Sequence, residues 1–139
     1  MPASVAKTIH IAIGSTTSLP GQLERNLEQI AEFARRGAAN GVDLLLTPEM
    51  SASGYGGYPE VIATAEVAGE GPIYHALART AEETGVVIAA GFAETFESRL
   101  LLAHYVVYPD GRFVVQRKHR VMETEMPLEP LVPFAPDRD

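Results

Sequence analysis

A chain of 139 residues, 46% of them hydrophobic, is one domain's worth of material and large enough to bury a core. Its formal charge of −7 and pI near 5.0 exclude the basic face that nucleic acid or an anionic membrane requires; the absence of cysteine excludes disulfides, thiolate metal sites and a catalytic thiol from these residues. No apolar run approaches the roughly 20 residues of a membrane span, and residues 1–7 hold no long apolar signal core, so a cytoplasmic protein is the expectation.

The chain alternates strand and helix. Thr8 to Ile13 is a short apolar run ended by Gly14 and a Ser/Thr cluster, which predicts a strand entering a loop. Leu23, Leu27, Ile30, Ala31 and Ala34 recur at helical spacing opposite Glu24, Arg25, Glu28 and Arg35, with Asn40-Gly41 as the stop. Asp43 to Thr47 reads as a second strand whose Leu44-Leu45-Leu46 run implies burial on both faces. Strand-helix-strand order then implies parallel pairing under a covering helix. Pro59 to Ala65 reads as a short helix. Pro72 opens a firmer one with Ile73, Leu77 and Ala81 on one face, closed by Gly85. Val86 to Ala90 is the next strand, extended by Gly91-Phe92-Ala93-Glu94. Leu100 to Tyr108 and Arg112 to Arg117 flank Pro109-Asp110-Gly111, the chemistry of a tight turn between antiparallel strands. From Met126 to Asp139 there are four prolines and no periodicity, so 126–139 is expected to be an extended tail after a domain spanning 1–125.

Two residues carry the chemistry. Glu49 is delivered from the end of an apolar strand into a glycine-rich loop, and Lys118 from the end of a hairpin. Taken alone, Glu49 reads as a solvated loop acid and Lys118 as part of the basic run Arg117-Lys118-His119-Arg120. His10, His75, His104 and His119 lie on separate elements and form no ligand-spaced cluster, so neither a metal nor another cofactor is expected. Gly54-Tyr55-Gly56-Gly57 lacks the Lys-Ser/Thr of a phosphate loop and reads as backbone freedom beside a site; Tyr55 and Tyr58 read as loop packing rather than pocket walls.

Thr47-Pro48-Glu49 followed by Ser53-Gly54-Tyr55, then Gly91 to Glu94, then Tyr108 to Gly111 leading into Arg117-Lys118-His119, resembles the first half of the nitrilase (carbon–nitrogen hydrolase) superfamily. The resemblance implies an α/β fold, half of a nitrilase-like α-β-β-α sandwich with a mixed sheet and covering helices. It also implies hydrolysis of an amide or nitrile C–N bond by a Glu-Lys-Cys triad. Glu49 would be the general base, Lys118 would steady the tetrahedral oxyanion, and Glu125, chosen over Glu123 and Glu129, would be a second acid. Glu94 reads as a supporting acid rather than a catalyst.

Two positions depart from the family pattern: Gln116 stands where an aromatic usually precedes Arg-Lys, and Leu101-Leu102 stand where Tyr-Asn is common. The family cysteine lies tens of residues beyond the lysine, outside these residues. The expectation is therefore a truncated domain, inactive alone, that takes a small amide or nitrile once completed and self-associates or pairs with a second half. The other reading is a nitrilase-fold module that binds or assembles without catalysis.

Overall fold

The computed structural model describes residues 7–130. Among them five strands form one sheet in chain order: β1 (Ile11–Ile13), β2 (Leu44–Leu46), β3 (Val87–Phe96), β4 (Arg99–Val107) and β5 (Phe113–Arg117). β1, β2 and β3 pair parallel; β3, β4 and β5 pair antiparallel. Three helices intervene: α1 (Leu23–Ala39), α2 (Pro59–Ile62) and α3 (Pro72–Thr84). The mixed α/β architecture expected from the sequence is present.

Three elements differ from their expected bounds by more than one residue. β1 begins at Ile11 rather than Thr8, because the Asp43 side chain takes the His10 N–H at 2.9 Å in place of a ladder partner. β3 runs on to Phe96, since β4 pairs with it along its whole length, from Ile88↔Val107 to Phe96↔Arg99. α2 stops at Ile62, because the Thr64 and Ala65 N–H groups turn to the carbonyls three residues back and the Thr64 hydroxyl also donates to the Val61 carbonyl, closing the helix with a tighter turn. Of the expected tail, Leu128 is buried and Glu129 forms a bridge with Leu101. Residues 131–139 of that tail, and 1–6, lie outside the described residues.

The register separates the sheet into two unlike faces. One carries Leu45, Ile88, Ala90, Phe92, Ala103, Tyr105 and Val107 and packs against Ile30, Ala34, Ile73, Leu77 and Ala81 of α1 and α3. Phe92 and Tyr105 stack there at 3.9 Å. On the other face neither α1 nor α3 packs; Ala93 and Leu102 at one end of it are buried against Val61 and Ile62 of the short α2 and against Leu128, and the rest is open. A single row, Ile13↔Leu46↔Ala89↔Val106↔Val114, crosses all five strands on that face. Ile13 at its outer end is 81% exposed and Val114 at the other is 56% exposed. Side chains alternate across a strand, so covering one face with helices leaves every second residue on the other.

A carboxylate that the sequence did not single out holds α3 in place. Glu66, buried, accepts the Ile73 and Tyr74 N–H groups at 2.8 and 2.9 Å and the Tyr105 hydroxyl at 3.0 Å. Two otherwise unpaired donors of the first helical turn are thereby satisfied by a negative charge at the positive end of the helix. Burial pushes the Tyr105 hydroxyl above its ordinary value, which keeps it a donor. Glu66→Ala is expected to lower stability by about 3 kcal/mol, because buried donors lose their acceptor together. A urea melt measures this, and a change below about 0.5 kcal/mol would contradict the capping role.

Candidate active site

Glu49 leaves the sheet where β2 ends. Thr47 still bonds across to β3, its N–H and hydroxyl both donating to the Ala89 carbonyl at 3.0 and 2.8 Å. Beyond it the chain turns away, and serine side chains replace the ladder: Gly91 N–H donates to Ser51 Oγ at 3.2 Å and Ala93 N–H to Ser53 Oγ at 2.9 Å. Met50, immediately after Glu49, takes a left-handed conformation with φ of 55°. The turn lies directly on Gly91, where a Cβ would fall 2.1 Å from the Met50 nitrogen, so only glycine admits the approach. Asn26 of α1 ties the same loop from behind, donating to the Leu19 and Ala52 carbonyls at 2.8 and 3.0 Å.

Lys118 follows β5 and keeps its register, its N–H donating to the Leu102 carbonyl at 2.8 Å. Neighbouring residues of an extended chain face opposite ways. Arg117 therefore turns toward Glu94, which it holds with two bonds of 2.8 and 2.7 Å while its guanidinium lies 3.8 Å over the Phe96 ring. Lys118 points to the open face. Its Nζ donates to Glu49 Oε1 at 2.6 Å and to Glu125 Oε1 at 2.7 Å.

Glu125 sits in a 3-10 turn at Glu123–Glu125 and is fully buried. Its other oxygen accepts the Met122 N–H at 2.8 Å, and Tyr55 donates its hydroxyl to Oε1 at 3.1 Å. Gly57 lies beneath the turn, with no room for a Cβ against the Met126 carbonyl oxygen. The glycine-rich loop is thus a seat for the turn that carries Glu125. Tyr55, read as packing, is half-exposed and touches this acid; Tyr58 is exposed. No local sequence signal marks Tyr55 as a partner of a residue 70 positions away.

The three expected residues are brought together as one cluster, a cation between two carboxylates. Glu49 is 40% exposed and Lys118 27%, while Glu125 lies behind them at 0%. Glu49 and Lys118 line a cleft of about 170 Å³ with Leu102, Ala103, His104 and Gln116. Burial pushes the Lys118 ammonium down, but hydrogen bonds and charge from Glu125 and Glu49 outweigh it and hold it above the ordinary lysine value. Burial likewise pushes Glu125 up, and the bonds from Lys118, Met122 and Tyr55 together hold it below the ordinary carboxylate range. Lys118 is thereby a permanent cation at neutral pH, placed beside an exposed carboxylate in a shallow cleft.

Because the folded Glu125 value is depressed, the folded chain binds fewer protons there than the unfolded one. Its contribution to stability is complete above the unfolded carboxylate value, near 4, and is lost as pH falls through the folded value. Urea melts from pH 3 to 6 are expected to show a steeper acid loss for the parent than for Glu125→Gln; parallel profiles would show that Glu125 contributes nothing.

Among the described residues no three metal-binding side chains converge. No helix among them is long and apolar enough to cross a membrane.

No curated protein sequence matches the chain. Among solved structures, a crystal structure of an N-terminal amidase superposes with TM-score 0.71 at 19% identity, covering 86% of this chain and 30% of that one. An amidase of the nitrilase superfamily from Nesterenkonia AN1, in a cysteine-to-serine mutant, superposes with TM-score 0.75 at 22% identity, covering 88% and 48%. The cysteine-to-alanine mutant of the Nesterenkonia enzyme was determined in complex with butyramide. At these identities the likeness is one of fold, and the chain spans between 30% and 48% of the length of these structures. The sequence family described as carbon–nitrogen hydrolase matches residues 10–135, which include both strand ends and the 3-10 turn that meet at Lys118. This chain belongs to the carbon–nitrogen hydrolase family.

Proposed function

We propose that this domain supplies the base and the cation of an amide-hydrolysing site, and that the thiol nucleophile comes from sequence other than these 139 residues, which contain no cysteine. The observation that supports this most is the Lys118 ammonium bonded to both Glu49 and Glu125 at the edge of one cleft. Glu49 takes the thiol proton and later delivers it to the leaving amine. Lys118 stabilises the tetrahedral oxyanion, and Glu125 holds Lys118 in position. The substrate class is a small aliphatic amide or nitrile, in keeping with the size of the cleft and with the butyramide bound by the Nesterenkonia amidase.

The open sheet face supports the need for a second layer. A row of apolar side chains crossing five strands is expected to draw a further sheet, from a complementing polypeptide or from self-association. That same row favours a second reading, a domain that docks through this face without chemistry. Turnover separates the two. The full chain alone is expected to release no ammonia from a panel of small amides and nitriles. Mixed with a polypeptide carrying a nitrilase-type second sheet and its cysteine, it is expected to hydrolyse butyramide, and Glu49→Gln is expected to abolish that activity. Ammonia release by the isolated chain that disappears in Glu49→Gln would show that no outside thiol is needed. A stable mixed complex without turnover would favour the docking reading.

A further inference from the structure

His104 lies midway along β4 on the open face, paired with Gly91 on one side and Gln116 on the other. The Glu49–Met50 turn rests on Gly91, so the imidazole is packed beside that turn and lines the same cleft as Glu49 and Lys118. Its Nε2 is buried and has no hydrogen-bond partner; among the described residues it is the buried side-chain polar atom left in that state. Buried polar atoms are almost always paired, so an orphan at a candidate site calls for a physical reason.

The Ala89 carbonyl acts on the ring as an acceptor and pulls its proton affinity up. A buried N–H without an acceptor costs more than a buried lone pair beside a donor still to come, so the tautomer that fits carries its proton on Nδ1 and leaves the unpartnered Nε2 as a lone-pair acceptor. Burial lowers the imidazole below its ordinary value, against weaker opposing effects of the Ala89 bond and the Glu49 charge, which favours the neutral ring at neutral pH. The charged groups around it are Glu49 from the loop after β2 and Lys118 from the end of β5, with Glu125 behind the lysine.

We propose that His104 is a positioning residue for Glu49, its Nε2 accepting the hydrogen bond of the Glu49 carboxyl during the part of the reaction in which that carboxyl carries a proton. This inference rests on the amide-hydrolase reading. In the resting state Glu49 is a carboxylate bonded to Lys118 and has no proton to offer, which is why Nε2 stands alone. When Glu49 takes the thiol proton it becomes a donor, and Nε2, unpartnered beside the turn that carries Glu49, is the acceptor that meets it. The proton stays on Glu49, oriented for transfer to the leaving amine, and the ring is unchanged at the end of the cycle.

Two measurements test this. Glu49→Gln places a permanent N–H donor where the protonated carboxyl would be. Imidazole ¹⁵N spectra of the full chain at neutral pH are expected to show the Nδ1–H tautomer in the parent. In Glu49→Gln the Nε2 resonance is expected to shift toward the hydrogen-bonded range. An Nε2–H tautomer in the parent, or an Nε2 resonance that Glu49→Gln leaves unmoved, overturns the proposal without any reference to activity. In the reconstituted hydrolase acting on butyramide, His104→Leu is expected to lower kcat about tenfold or more with KM nearly unchanged. His104→Gln, whose carbonyl can accept near the Nε2 position, is expected to recover most of it. Equal losses in both variants, with both folded, would reduce His104 to a structural role. If reconstitution yields no hydrolysis while the spectra respond as expected, the hydrolase reading fails and the coupling between the two side chains survives. Hydrolysis with silent spectra fails the inference alone.

Discussion

Gly91→Ala is expected to lower the stability of this domain by about 3 kcal/mol or more and to displace Glu49 with it. The added methyl would sit 2.1 Å from the Met50 nitrogen, 2.9 Å from its Cα and 3.0 Å from the Glu49 carbonyl carbon, all backbone atoms that no rotamer change can move. The turn cannot lift away cheaply. Ala52 N–H donates to the Gly91 carbonyl at 2.9 Å, and Ser51 and Ser53 accept the N–H groups of Gly91 and Ala93. Relief of the overlap therefore breaks several buried hydrogen bonds or bends the centre of β3. Urea denaturation of parent and variant measures the loss. A variant within about 0.5 kcal/mol of the parent would show that the turn does not rest on the strand as described.

Lys118→Ala is expected to have two separable effects. In the reconstituted hydrolase it removes the cation proposed to meet the oxyanion, and kcat is expected to fall by a factor on the order of 10² to 10³. In the isolated chain it leaves Glu125, fully buried, without its counter-charge. Breaking such a pair from one side costs about 3 kcal/mol; the partial exposure of Lys118 lets water offset some of that. The double variant Lys118→Ala with Glu125→Gln discharges the buried acid. It is expected to regain most of the stability and none of the rate. If it regains both, Lys118 is a structural counter-ion; if Lys118→Ala leaves kcat within about twofold, the lysine does not stabilise the transition state.

Much of the path to this site was legible along the chain. The helical spacing of Leu23, Leu27, Ile30 and Ala34, the apolar run Leu44 to Leu46, and the turn residues Pro109-Asp110-Gly111 each report a local preference, and the corresponding elements formed, although the expected burial of that run on both faces did not: Leu46 is 41% exposed on the face that α1 and α3 leave uncovered. Glu49 and Lys118 stood out because each follows a strand within a family-like motif. Arg117 and Lys118, adjacent in sequence, face opposite sides of the sheet, a consequence of strand geometry once the strand is known.

What the amino-acid sequence determined by itself was the order and type of the elements, the positions of the two strand-end charges and the absence of a thiol, because periodicity, turn chemistry and composition are properties of neighbouring residues. Only the tertiary structure decided which groups meet. The burial of Glu125 against Lys118, the Tyr55 hydroxyl upon it, the orphaned Nε2 of His104 beside the Glu49 turn and the carboxylate of Glu66 over the first turn of α3 all join residues distant in the chain. The physical reason is that a partner is selected by packing. Thr47, Ser51 and Ser53 tie one turn across the backbone of Gly91, and that approach determines where Glu49 lies, which nothing in the immediate neighbourhood of Glu49 could specify.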